Sequence, residues 1–319
     1  DGVEKCFCHG ALFLNLPYLF LNRKNTPLEK LLWRIVSDGS ERFDTHFDLA
    51  VSYIEGGSAY YVHDHVSAAK KAAFIHVDYV QAGYTRRLDK DCYVDFDRIF
   101  AVSDETAGVF AGVYPECQQK LSVFHNLIDT EAIRQKALLP AEKAMHEGIR
   151  LLTVGRLTPQ KGFDCAVYAL KLLLEKQYPV YWYIIGEGPE YGRLTQLARS
   201  LHVEDHFIFL GMQTNPYPYF KMADFYIHAT RFEGKSIAIQ EAQVLGCAIA
   251  ASDCSGNREQ IVSGVDGLLC PFSPEGIANA VEYLIEHPQT AESFGRAAAQ
   301  KACHFENDIH MIRDLLYSP

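Results

Sequence analysis

Two successive series of short apolar runs, with stretches of helical periodicity between them, constrain the fold of this chain more than any other feature. In the first half, 47–52, 72–76, 98–102 and 121–124 read as strands, and 27–37, 58–70 and 105–113 as helices. In the second half, strands are expected at 149–154, 180–185, 207–210, 225–229, 248–251 and 268–270. Helices are expected there at 164–175, 237–245, 274–287, 291–303 and 308–317. Strands that alternate with helices are joined by crossovers, and crossovers build parallel sheets. The fold class is therefore α/β. Between the two series, 138–148 contains Pro140 and several charges without apolar periodicity, and reads as a connection. With 319 residues the chain has length for two cores. The expected organisation is one domain over 1–140, a second over 149–305, and a last helix within 306–319 that is compatible with packing back toward the first.

Charge and cysteine usage narrow the function classes. Thirty Lys and Arg against forty Asp and Glu give a net charge of −10, which argues against general binding of nucleic acid or anionic membrane. Nine cysteines, an odd number scattered through expected strands and helices, suit reduced thiols in a cytoplasmic protein. Cys6-Phe7-Cys8-His9 has no second cysteine pair to complete a zinc site, and His63-Asp64-His65 has no partner at a ligating spacing. No signal peptide is visible. The apolar run 11–21 is too short to span a bilayer and is interrupted by Asn15 and Pro17.

In open parallel sheets, ligands sit beyond the carboxyl ends of the strands. In the first half that rule selects Gly56-Gly57, His76-Val77-Asp78, Ser103 and Asn126. His76 is either a polar group reaching a substrate from a strand tip or a packed, hydrogen-bonded histidine. Asp95-Phe96-Asp97 has the form of a metal-binding motif but precedes its strand, so both carboxylates read as exposed. In the second half, Gly155 and Gly162 bracket a turn carrying Arg156 and Lys161, a planar fork and a mobile point charge suited to phosphate. Gly186-Glu187-Gly188-Pro189 and Gly211 close two further strands.

The richest stretch is 231–242. Gly234 allows a tight turn, Ser236 is a good N-cap, and a helix follows from Ile237, so a strand, a small-residue turn and a helix N-terminus form an anion site. Glu233 precedes the turn and Glu241 lies inside the helix, too far apart to share one proton or one metal. They can touch separate parts of one long ligand, as in a nucleotide sugar, or they are a solvated loop carboxylate and a surface helix carboxylate.

The ordered set of loops resembles the donor domain of retaining glycosyltransferases of the GT-B fold, the large family four. The matching pieces are Val154-Gly155-Arg156-Leu157 with Lys161-Gly162, Ile185-Gly186-Glu187-Gly188-Pro189, Phe209-Leu210-Gly211, Asn215-Pro216-Tyr217-Pro218-Tyr219, Ala223-Asp224, the pair Glu233 and Glu241 at E-x7-E spacing, and Gly264-Val265-Asp266-Gly267-Leu268-Leu269. Ile75-His76-Val77-Asp78, Ala101-Val102-Ser103 and His125-Asn126-Leu127-Ile128-Asp129 are similar to the family's acceptor domain.

The resemblance implies two Rossmann-like parallel-sheet domains facing across a cleft, and sugar transfer from a nucleotide diphosphate sugar with anomeric retention. It gives Arg156 and Lys161 the diphosphate, and Gly234, Lys235, Ser236 and Ile237 the donor through their backbone amides. Glu241 takes the ribose hydroxyls, Glu233 and His76 the transferred sugar, and Gly211-Met212 the base; Gly155 is a further donor-binding position. A UDP-sugar is the expected donor and a saccharide or lipid-linked saccharide the acceptor. No cofactor or metal is required, and peripheral association with the inner membrane face is compatible with such an acceptor. Members usually begin with a strand and a glycine-rich loop, which 1–8 does not supply. The chain is thus expected to be a fragment of a longer protein or a degenerate form. A sugar-nucleotide epimerase of the same architecture, or a donor-binding remnant without transfer activity, are the alternatives.

Overall fold

The computed structural model describes residues 42–302 and 308–317, which fall into two compact units. The expected helix at 27–37, the apolar run 11–21 and Cys6–His9 lie outside the described residues.

Unit 1 contains residues up to His125 together with the C-terminal helix. Its described elements run β1 (Phe47–Ser52), α1 (Gly57–His65), β2 (Ala68–Ile75), α2 (Arg86–Asp89), β3 (Arg98–Ala101), α3 (Asp104–Val113) and β4 (Leu121–Val123). The four strands form one sheet in sequence order, every pair parallel. Strand alternation fills both faces: Ala73, Ile75 and Ile99 pack with α1 and α3 around Tyr60, Tyr93 and Phe110. Ala72, Phe74 and Phe100 face the other way, onto Phe124 and Leu315. Ser103 starts α3 as its side-chain oxygen accepts from the Thr106 amide at 3.2 Å, with Asp104 and Glu105 in the first turn.

The helix expected over 58–70 stops at His65, and β2 begins at Ala68, four residues before the expected start at 72. The first half of β2 carries Lys70 and Lys71, which hide its strand character. Their stems lie on the sheet while the ammonium groups donate to the Leu315 and His63 carbonyls at 3.0 and 2.9 Å.

Unit 2 contains Asn126–Glu306. Its elements are α4 (Thr130–Lys136), β5 (Ile149–Val154), α5 (Phe163–Glu175), β6 (Val180–Ile185), α6 (Tyr191–Ser200), β7 (Phe207–Gly211), α7 (Tyr217–Met222), β8 (Phe225–His228), α8 (Ile237–Val244), β9 (Ala248–Ser252), α9 (Ser255–Arg258), β10 (Leu268–Cys270), α10 (Pro274–Glu286) and α11 (Pro288–Ala302). The strand order is β10-β9-β8-β5-β6-β7, all parallel. Counting from β5, this is the doubly wound order 3-2-1-4-5-6, which reverses direction between β5 and β8. Leu151, Trp182, Ile184, Ile227 and Ala250 point to the α5, α6 and α10 side. Their neighbours Leu152, Tyr183, Ile185, Tyr226 and Ile249 point to α7 and α8.

The segment 138–148, expected as the connection, packs on unit 2. Ala141 and Met145 join the core under α7, the Lys143 amide donates to the Tyr219 hydroxyl at 3.0 Å, and the His146 amide to Tyr183 at 2.6 Å. α6 has no counterpart in the sequence reading; only Leu194 and Ala198 of its residues are buried, so its apolar stripe is thin. The last helix, α12 (Ile309–Tyr317), belongs to unit 1, where Met311, Ile312 and Leu315 cover Phe74, Phe100 and Phe124. Asp308 anchors its start by accepting from the His125 amide and ring Nδ1, both at 2.7 Å.

Candidate functional site

The reversal point of the unit 2 sheet is where a crevice opens outside the strand ends, and the loops that follow β5, β6, β8 and β9 meet there backbone to backbone. A Cβ at Gly186, whose φ is +140°, would stand 2.1 Å from the Gly155 carbonyl oxygen, and one at Gly256 would stand 2.0 Å from that of Gly234. Only glycine permits either approach. Hydrogen bonds stitch the same loops together. The Gly155 amide donates to Ile185 O (2.9 Å), Leu157 to Glu187 O (2.8 Å) and Gly186 to Gly211 O (2.9 Å). On the other side, Arg231 N donates to Gln160 O at 2.8 Å, Gln160 Nε2 to Phe232 O at 2.9 Å, and Thr230 N to the Ser252 hydroxyl at 2.9 Å.

This scaffold brings Lys161 onto Glu233. The ammonium group pairs with Glu233 Oε2, and the Nε2 of His228, the last residue of β8, lies 3.4 Å from the same oxygen. His228 Nδ1 in turn faces the Tyr226 hydroxyl at 3.2 Å. An ionised carboxylate only accepts, so Nε2 carries the proton and Nδ1 accepts from Tyr226. Glu233 is buried, which raises its pKa. The His228 bond and the Lys161 charge outweigh burial and hold the carboxyl at about 2. Burial keeps His228 below its ordinary value. Both partners use Oε2, and Oε1 has no partner among the described residues.

Behind Glu233, Gly234 leads to α8. Ser236 is the N-cap, its hydroxyl accepting from Ile239 N at 3.4 Å, which leaves the Ile237 and Ala238 amides without acceptors among the described residues. The Lys235 and Ser236 carbonyls are held by Asn126 Nδ2 and Gln260 Nε2, each at 3.3 Å. One turn on, Glu241 Oε1 accepts from the Tyr217 hydroxyl at 3.0 Å. Burial raises the Glu241 pKa and the Tyr217 bond opposes the rise. Arg156 is exposed at the β5 end, and its guanidinium has no partner among the described residues. At the ends of β6 and β7, Gly186, Glu187, Gly188, Tyr191, Phe209, Leu210 and Gly211 line a pocket of about 490 Å³, with Met212 72% exposed just beyond Gly211.

In unit 1, His76 follows β2 directly. Its amide donates to Glu55 Oε2 at 2.9 Å, its Nδ1 lies 3.8 Å from the same oxygen, and its ring packs against Tyr53 and Phe74. Burial raises the Glu55 pKa, but its bonds from His76 outweigh this and lower it. Asp95 faces His63 Nε2 at 2.8 Å and Asp97 accepts from the Lys71 amide at 2.7 Å, so both serve the local chain path. Among the described residues no cluster of three or more His, Cys, Asp or Glu side chains is arranged to hold a metal ion. No helix among them is long and apolar enough to cross a membrane.

Sequence reasoning missed His228, Tyr226 and Tyr191, and named Tyr217 only as part of the matching piece 215–219, without a role. The signal for the first was present: a histidine inside the apolar strand 225–229 is out of character and marks a buried polar contact.

Two parallel sheets with Rossmann-like connections give this chain the GT-B class of fold. A structure of Alr3699/HepE from Anabaena in complex with UDP-glucose matches at a TM-score of 0.66 and 18% identity, covering 77% of this chain and 71% of that one. Sucrose-phosphate synthase from Thermosynechococcus elongatus matches at 0.69 and 17% identity, covering 85% and 74%. The profile of the family "Glycosyl transferases group 1" matches residues 134–301. The chain belongs to that family. It is also 30% identical, over 200 residues, to N-acetylgalactosamine-N,N'-diacetylbacillosaminyl-diphospho-undecaprenol 4-alpha-N-acetylgalactosaminyltransferase of Campylobacter jejuni, covering 62% of this chain and 53% of that protein. The chain spans about half the length of the curated relatives it matches.

Proposed function

We propose that this chain is the donor-binding core of a retaining glycosyltransferase of family four, which moves a sugar from a UDP-sugar to a saccharide or lipid-linked saccharide acceptor. The observation that carries the reading is the Lys161–Glu233–His228 cluster at the sheet reversal, beside the open amides of α8. Breaking the bond between sugar and diphosphate leaves negative charge on the phosphate and an electron-poor sugar carbon. Arg156, Lys161 and the Ile237 and Ala238 amides stabilise the first, and preorganised groups of this kind are worth most where charge develops. Glu233, fixed through Oε2, offers Oε1 to a sugar hydroxyl. Glu241 accepts from the ribose, and the pocket beside Gly211 and Met212 takes the base; its volume is within the range of small-ligand sites. In unit 1, His76 is assigned to the transferred sugar, with Glu55 holding its backbone.

The cations at the diphosphate do the work a divalent ion would do, so the reaction is metal-independent in this reading. The relative from Campylobacter jejuni carries a lipid-diphosphate in its name, and a lipid-linked acceptor would bring the protein to the inner membrane face from the cytoplasm.

Calorimetric titration with UDP, ADP and GDP, in the presence of a chelator, tests the donor site. UDP should bind most tightly, and the anomeric configuration of a transferred sugar, read by proton NMR, should match that of the donor. Equal indifference to all three nucleotides would overturn the assignment.

A further inference from the structure

Glu233 has two partners, and the proposed function takes one of them away. Lys161 Nζ and His228 Nε2 converge on the single oxygen Oε2 of a carboxylate that is itself buried. If Lys161 turns to the donor diphosphate, the carboxylate keeps its burial and loses its cation. A buried carboxylate without a counter-charge is costly and moves or takes a proton. His228 is the one titratable group left in contact with it among the described residues. The ring is 2% exposed, seated on β8, and braced from behind by the Tyr226 hydroxyl at 3.2 Å.

We propose that His228 is the positioning residue of Glu233 and its replacement cation: when the donor draws Lys161 away, His228 takes up a proton and holds the carboxylate in place. This rests on the assignment of Lys161 to the diphosphate made above. The proton comes from solvent and adds to Nδ1, which then donates to the Tyr226 oxygen, while Nε2–H continues to donate to Glu233. The groups acting on the ring are Glu233 and Lys161 from the loops after β8 and β5, and Tyr226 from its own strand. Burial and Lys161 favour the neutral ring and Glu233 favours the charged one. Withdrawing Lys161 shifts that balance toward the imidazolium. Donor binding is then linked to proton uptake, and UDP affinity falls as pH rises through the range where His228 titrates in the complex.

The test is calorimetry of UDP binding in buffers of different ionisation enthalpy, at about pH 7.5, above the second ionisation of a phosphate near about 6. The wild-type chain should take up a measurable fraction of a proton. His228→Gln, whose amide can still donate to Glu233, should bind UDP more weakly than wild type and without that uptake. If His228→Gln does not fold, Tyr226→Phe reads the same quantity and should take up less. Equal uptake in wild type and variant, or none in wild type, overturns the role of His228 and leaves the donor site standing. Absence of UDP binding by the wild-type chain overturns the donor site and the inference with it.

Discussion

Replacing Lys161 with Met separates the pairing of its ammonium group with Glu233 from the contact with the donor diphosphate proposed above. Met keeps the stem and removes the charge. Glu233, with its side chain 10% exposed, loses the partner on Oε2 and keeps His228. Its carboxyl is held at about 2 against an ordinary 4.5, a difference worth roughly 3 kcal/mol to the ionised form. That sum is shared with His228, so the part lost with Lys161 is about 1.5–3 kcal/mol, the range of a charged hydrogen bond. For a domain the size of unit 2, each kcal/mol moves Tm by about 2–4 °C.

The sign with pH follows from the depressed pKa. The contribution is complete above about pH 4.5 and is lost as pH falls toward about 2, so the deficit of Lys161→Met should shrink over that interval. UDP affinity should drop about 10–150-fold, the equivalent of about 1.5–3 kcal/mol. The double variant Lys161→Met/Glu233→Gln decides the matter. It removes the stranded charge, so denaturant unfolding should show most of the stability restored, whereas calorimetry should show UDP affinity still lost. Recovery of both would mean that Lys161 serves the fold alone, and the phosphate assignment would be wrong.

Arg156→Ala should weaken UDP binding by about 1.5–3 kcal/mol with an unchanged Tm, because its guanidinium is exposed and unpartnered among the described residues; thermal shift with and without UDP checks both. Burial raises the Glu241 pKa, and a protonated carboxyl is a poorer acceptor for ribose hydroxyls, so UDP affinity should fall as pH drops through that raised value. Glu241→Gln should bind more weakly and flatten that acid-side loss. Gly256→Ala should destabilise unit 2 by about 2 kcal/mol or more, since its Cβ would meet the Gly234 carbonyl at 2.0 Å; a lower denaturation midpoint checks this.

The strand series of both halves was legible because buried parallel strands are apolar on both faces. β5 and β6 match their expected limits, and β8 and β9 do so within a residue. β2 was misread at its start because Lys70 and Lys71 extend along the sheet and end on carbonyls of other elements, which no local pattern reveals. The thin stripe of α6 and the docking of 138–148 on unit 2 depend on contacts remote in sequence. At the site, the glycine loops and the two carboxylates could be named from residue type and order. What could not be read was which oxygen meets which partner. The convergence of Lys161 and His228 on Oε2 joins residues 67 positions apart, brought together by the reversal of strand order between β5 and β8.

The placement of α12 sets an order for synthesis on the ribosome. Unit 1 is built from two stretches of chain with all of unit 2 encoded between them. Domains generally fold in the order in which they are made. Here the strands of unit 1 emerge first, yet the face formed by Phe74, Phe100 and Phe124 receives Leu315 only after residues 308–317 have been translated. Unit 2 is contiguous and can close while that face waits. During the interval Phe74, Phe100 and Phe124 lack the contacts that Met311, Ile312 and Leu315 supply. Shortening the chain before α12 would leave unit 2 whole and take from Phe74, Phe100 and Phe124 the cover that Leu315 supplies.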